Sequence, residues 1–216
     1  MKKLVIFDLD GTLLNTIADL AHSTNYALNK LGYPTHEIEK YNFMVGNGID
    51  KLFERALPEE EKSKENVLRV RKEFVPYYDI HNADDSRPYP GIPELLSYLQ
   101  DAGVQIAVAS NKYQAATQKL VDHYFPEIHF TAVFGQREGV KVKPDPIIVS
   151  DILEVAKVTK EEVLYVGDSG VDMQTAANAG VTACGVTWGF RPRTELEEFN
   201  PSYIADTAGE IKKLIL

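Results

Sequence analysis

Leu4-Val5-Ile6-Phe7 is apolar at every position and stops on Asp8. A strand with one face in water alternates polar and apolar residues, whereas one that is apolar throughout must be covered on both faces. Comparable runs rich in Val and Ile recur at residues 105–109, 132–134, 163–166 and 183–186. Amphipathic, helix-like stretches separate most of them, at 93–102, 113–124, 146–156 and 173–179. Buried strands that alternate with helices predict an α/β fold: a Rossmann-like three-layer core with a mainly parallel sheet.

Between about Asn15 and Arg87 the alternation fails, because no convincing strand is present. The pattern there predicts helices at 17–31, 36–43, 49–57 and 59–78, the last with a Glu/Lys/Arg-rich solvated face. Arg87-Pro88-Tyr89-Pro90-Gly91 carries the turn residues that return the chain to the sheet. The expectation is a core domain of residues 1–14 and 87–216, with a small all-helical cap domain, residues 15–86, inserted after the first strand.

Composition narrows the function classes. The chain has 23 Lys and Arg against 32 Asp and Glu, a net charge of −9. Such a surface repels a phosphate backbone, so nucleic acid is not an expected partner, and any phosphorylated ligand is small and held by local positive groups. The single cysteine, Cys184, excludes an internal disulfide and every multi-cysteine zinc pattern, and fits a reducing, cytoplasmic setting. No apolar stretch approaches the ~18 residues of a membrane span. Lys2-Lys3 before Leu4–Phe7 is no secretion signal, since its apolar run falls short of the ~7–15 residues of an h-region. Gly46-Asn47-Gly48 lacks both the third glycine and the preceding strand of a dinucleotide fingerprint.

Four polar clusters sit at or just beyond strand ends, where parallel sheets bind ligands. They are Asp8-Leu9-Asp10-Gly11-Thr12, Ser110-Asn111-Lys112, Lys143-Pro144-Asp145-Pro146 and Gly167-Asp168-Ser169-Gly170-Val171-Asp172. Any one of them reads equally well as a turn. Together they would gather Asp8, Asp10, Asp168 and Asp172 in one crevice, a repulsion that only a bound cation and a nearby lysine relieve. A divalent metal and Lys143 leave one negative charge uncompensated, and protonating one carboxylate removes it, which creates a candidate general acid.

The ordered set Phe7-Asp8-Leu9-Asp10-Gly11-Thr12, Ser110, Lys143 and Gly167-Asp168-x-x-x-Asp172 resembles the four-motif signature of the haloacid dehalogenase superfamily. Val45-Gly46-Asn47-Gly48-Ile49, Glu54-Arg55-Ala56-Leu57 and Gly185-Val186-Thr187-Trp188-Gly189-Phe190-Arg191 are similar to the phosphoglycolate phosphatases within it. Asn15 departs from the Asp that many members carry at the start of the cap linker.

The resemblance implies a magnesium-dependent phosphatase that hydrolyses a small phosphorylated metabolite, 2-phosphoglycolate, through an aspartyl-phosphate. Asp8 is then the nucleophile and Asp10 the general acid and base. Asp8, the Asp10 carbonyl and Asp168 would hold Mg²⁺, with Asp172 behind them. Ser110, Asn111 and Lys143 would bind the phosphoryl group, and Gly46, Asn47 and Gly48 the substrate's carboxylate at a helix start. The alternatives are a phosphatase for a sugar phosphate, pyrophosphate or nucleotide, or a β-phosphoglucomutase-like phosphotransferase. Outside catalysis, a phospho-aspartate receiver or an inactive binding module remains. Nothing in the pattern sets an oligomeric state.

Overall fold

A strand with no polar side chain belongs in the middle of a sheet, and that is where β1 (Leu4–Phe7) lies in the computed structural model, which describes residues 2–215. After β1 come a short β2 (Leu14–Asn15), the helices α1 (Ile17–Lys30), α2 (Ile49–Ala56) and α3 (Lys64–His81), and then β3 (Arg87–Pro88). Helix and strand alternate from there: α4 (Ile92–Asp101), β4 (Gln105–Tyr113), α5 (Gln114–Tyr124), β5 (Ala132–Gln136), α6 (Ile147–Ala156), β6 (Val163–Gly167), α7 (Gly170–Ala179), β7 (Thr182–Val186), α8 (Arg193–Glu198), β8 (Tyr203–Ala205) and α9 (Ala208–Ile211).

The main sheet has six strands in the order β5-β4-β1-β6-β7-β8, every neighbouring pair parallel. Successive side chains of a strand point to opposite faces. Val5 and Phe7 therefore join α4, α5 and α9 in one apolar layer, while Leu4 and Ile6 join α6 and α7 in the other. Each such buried side chain contributes ~1.5–3 kcal/mol. β1 is flanked by β4 and β6, so the chain leaves it in two directions, and the crevice beyond its carboxyl end is the expected ligand site.

The insertion between β2 and β3 is helical and has its own core. Leu20, Leu28, Phe53, Phe74 and Tyr78 are buried in it, Phe53 meeting Phe74 edge-on at 4.9 Å and Phe74 stacking on Tyr78 at 5.0 Å. Both chain crossings into the insertion run side by side, since Leu14 and Asn15 pair antiparallel with Pro88 and Arg87.

Several elements differ from the sequence expectation. The helix expected at 36–43 is a tighter 3₁₀ helix, Ile38–Phe43. The one expected at 59–78 is divided into a 3₁₀ turn, Glu59–Glu61, and α3, because the Ser63 side chain caps the backbone N–H of Asn66 at 3.1 Å and restarts the helix. β4 runs past Ala109 through Ser110, Asn111 and Lys112 to Tyr113, with a register irregularity between Ala109 and Tyr113. α7 begins at Gly170 instead of Met173, because Ser169 and Asp172 cap it reciprocally. The closing segment of α8, β8 and α9 was not anticipated, being built of pieces of three to six residues. Among the described residues no helix is long and apolar enough to cross a membrane.

Candidate active site

Asp8 follows the central strand directly, and its backbone N–H extends the ladder to Val166 O at 2.9 Å. Its side chain is buried, with Oδ1 accepting from Lys143 Nζ at 2.8 Å. The other carboxylate oxygen accepts no hydrogen bond among the described residues, and Asp8 lines a cavity.

Lys143 also donates to Asp172 Oδ1 at 2.7 Å. Asp172 is held from every side: Tyr165 OH donates to Oδ1 at 3.2 Å, and Ser169 donates to Oδ2 through its N–H at 3.2 Å and its hydroxyl at 2.6 Å. One helix cap thus both starts α7 and aims the carboxylate that grips Lys143. Asp168, one residue past β6, accepts the Phe190 N–H at 2.7 Å and the Thr12 hydroxyl at 3.5 Å. It packs so closely on Gly11 (φ +94°) and Gly189 that a Cβ at either would collide with its carboxylate.

The electrostatics follow from burial. Loss of water pushes Asp8 up to about 7, an effect that Lys143 opposes and Asp172 reinforces. Asp168 is raised well above the usual carboxylate range by burial first, then by Asp172 and Asp8. Burial alone would lower the Lys143 ammonium, but Asp172 and Asp8 outweigh it and keep the lysine protonated.

Asp8, Asp168 and Asp172 are all buried and place carboxylate oxygens within 4.8 Å of one another. Three carboxylates around one lysine need either protons or a cation. Asp172 accepts four donors, one of them an ammonium, whereas Asp168 accepts one N–H and one long hydroxyl contact and Asp8 keeps an oxygen without a donor. Asp8 and Asp168 are therefore the carboxylates more open to a metal, and an all-oxygen set suits a hard divalent ion.

The remaining candidates have distinct surroundings. Ser110 is buried on the cavity, and its Oγ accepts the Lys112 N–H at 3.2 Å while its proton has no acceptor among the described residues. Asn111 behaves differently from expectation. Its amide donates to Lys143 O (3.1 Å) and Gly46 O (3.0 Å) and accepts the Lys143 N–H (2.8 Å), which leaves only its backbone to meet a phosphoryl group. Asp10 lines the same cavity, its carboxylate taking the Thr16 hydroxyl at 2.7 Å and Lys112 Nζ at 3.0 Å.

On the side of the insertion, Gly46 and Gly48 line the cavity, whereas the Asn47 side chain turns away to accept from Arg55 Nη2 at 2.8 Å. Leu20, Val45, Ile49 and Leu52 complete an apolar wall. Two cations at the cavity carried no assignment from sequence, Lys112 and Arg191. Their partners, Asp10 for the first and the carbonyls of Asn42 and Val45 in the insertion for the second, are remote in the chain, so spacing gave no signal.

Residues 5–186 match the family described as haloacid dehalogenase-like hydrolase. The chain belongs to that family. A phosphoglycolate phosphatase of Vibrio parahaemolyticus is 32% identical over 218 residues, covering 99% of this chain and 96% of its own. One from Vibrio cholerae is likewise 32% identical, over 219 residues, with 99% and 97% covered. Among solved structures, a Lactobacillus delbrueckii subsp. bulgaricus protein provisionally assigned as a phosphoglycolate phosphatase superposes with a TM-score of 0.93 at 34% identity, covering 100% and 99% of the two chains. As a haloacid dehalogenase-like hydrolase, the chain is an enzyme with its polar cluster on the cavity between sheet and helical insertion.

Proposed function

We propose that this hydrolase is a magnesium-dependent phosphomonoesterase whose substrate is 2-phosphoglycolate, and that residues 15–86 act as its cap. The observation that carries the reaction class is the pairing of two carboxylates on one small cavity. Asp8 has an unengaged oxygen beside a protonated lysine, and Asp10 stands two residues on.

Asp8 attacks phosphorus and forms an acyl phosphate; the bond from phosphorus to the ester oxygen breaks, and its electron pair leaves with that oxygen. Asp10 supplies the proton that the departing alkoxide requires. Asp10, now a carboxylate, takes a proton from water as that water attacks phosphorus, which breaks the bond to Asp8 and releases phosphate. Lys143 stays charged throughout, and the Ser110 hydroxyl donates to the phosphoryl oxygens. Asn111 contributes chiefly by fixing the backbone on both sides of Lys143. Asp8, Asp168 and the Asp10 carbonyl would hold Mg²⁺, which when bound offsets the charge that builds on the phosphoryl oxygens.

Two features favour phosphoglycolate over larger esters. The insertion's wall of Leu20, Val45, Ile49 and Leu52 offers no side-chain donor or acceptor to the hydroxyls of a hexose phosphate or to a nucleotide. The full-length relatives from both Vibrio species are phosphoglycolate phosphatases. The deciding experiment measures phosphate release from 2-phosphoglycolate, p-nitrophenyl phosphate, glucose 6-phosphate and a nucleoside monophosphate, with Mg²⁺ or with chelator. The expected result is Mg²⁺-dependent release with phosphoglycolate highest in kcat/KM. Equal turnover in chelator, or a preference for the sugar phosphate or nucleotide, overturns the assignment.

A further inference from the structure

We infer that Arg191 is the residue that recognises the substrate's carboxylate. The inference rests on the phosphomonoesterase reading and adds to it the group that selects the ester.

Three cations line the cavity. Lys143 is held by Asp8 and Asp172, and Lys112 by Asp10, so each already faces a carboxylate at hydrogen-bond distance. Arg191 differs. Its Nη1 donates to Asn42 O and its Nη2 to Val45 O at 2.9 Å, both of them uncharged carbonyls. Glu195 stands 3.5 Å from Nε and Asp168 is close enough to feel its charge, but no carboxylate accepts a hydrogen bond from it among the described residues. A guanidinium has more N–H donors than these acceptors engage. The side chain is 10% exposed, so the remaining donors sit in a poorly hydrated place where an anion is bound more strongly than in water.

No Lys or Arg of the insertion lines the cavity. Arg55 is directed at Met44 O and Asn47, Lys51 pairs with Glu54 in solvent, and the cap wall of Leu20, Val45, Ile49 and Leu52 is apolar. The mount of Arg191 is rigid. Gly189 packs on Asp168, the Phe190 N–H holds that same carboxylate at 2.7 Å, and the Phe190 ring is embedded against the insertion's core. A guanidinium fixed relative to the phosphoryl site can measure the span from phosphate to carboxylate, and its planar fork matches a carboxylate in two contacts. Because it also grips the carbonyls of Asn42 and Val45, a carboxylate bound there would meet a group already tied to the insertion.

The test compares 2-phosphoglycolate with ethyl phosphate, which has the same ester and a methyl group in place of the carboxylate, in the native enzyme, Arg191→Met and Arg191→Lys. Thermal melting confirms that each variant is folded. For Arg191→Met, kcat/KM on phosphoglycolate is expected to fall about 10–100-fold, mainly through KM, and the ratio to ethyl phosphate to fall by about tenfold or more. Arg191→Lys restores part of the ratio, because it keeps the charge and loses the fork. If Arg191→Met does not fold, the ratio in Arg191→Lys decides, a drop supporting the proposal and an unchanged ratio overturning it. Parallel losses on both esters mean that Arg191 only latches the cap, and the proposal fails. A native enzyme that handles both esters equally also overturns it while leaving the phosphatase reading intact. Failure to hydrolyse either ester removes that reading itself.

Discussion

Lys112 Nζ lies 3.0 Å from the Asp10 carboxylate and 4.8 Å from the centre of the Tyr78 ring, so one ammonium joins the proposed acid–base group to the last turn of a cap helix. Lys112→Met leaves Asp10 without its charged partner in a site where both side chains are nearly buried. Removing one member of a buried pair costs about 3–5 kcal/mol in stability. Turnover of alkyl phosphates, which need a proton on the leaving oxygen, is expected to fall about 10–100-fold, and that of p-nitrophenyl phosphate distinctly less. Equal losses on the two substrate types would show that Lys112 does not act through Asp10.

Asp8→Asn should abolish turnover, since an amide does not attack phosphorus, and yet leave the fold intact because Lys143 keeps Asp172 as its partner. Phosphate release and a thermal melt on the same preparation check both halves. Measurable steady turnover by the variant rules out Asp8 as nucleophile.

Burial raises Asp8 to about 7 from an unfolded value near ~4. A carboxyl shifted upward favours the fold below its unfolded pKa, and that contribution disappears as pH rises through about 7. A cation binds only the ionised form, so protons compete with it at low pH. The gain in Tm from Mg²⁺ should therefore be larger at about pH 8 than at about pH 5.5, and should shrink in Asp8→Asn. A gain independent of pH would place the cation elsewhere.

Cys184 lies in β7, fully buried, and burial pushes its thiol up to about 12. The sign matches that of Asp8: its contribution to stability holds below the unfolded thiol value and is lost as pH climbs towards the folded one. In native protein at about pH 8 a thiol reagent should label almost nothing, and after denaturation one group per chain. Rapid native labelling would contradict the packing of β7.

The acidic motifs were legible because each is local. Asp8 and Asp168 end or follow fully apolar strands, and Asp172 follows Ser169 at cap spacing, so sequence alone places them on one edge of the sheet. The roles of Asn111, Lys112 and Arg191 were not legible, because each depends on which remote group the fold brings opposite: Lys143 backbone, Asp10, and two carbonyls of the cap. Sequence spacing carries no record of a partner carbonyl. The same limit hid β2, β3 and β8, whose two or three residues are too few to show a period.

The ribbon of Leu14–Asn15 against Arg87–Pro88 makes the helical insertion a detachable cassette. Its two ends leave the sheet as adjacent antiparallel strands, so a short reverse turn from Leu14 to Pro88 could close the gap without reordering any strand of the main sheet. An architecture with one doorway lets the wall over the cavity be exchanged or resized during evolution while the residues on the sheet below it stay in register.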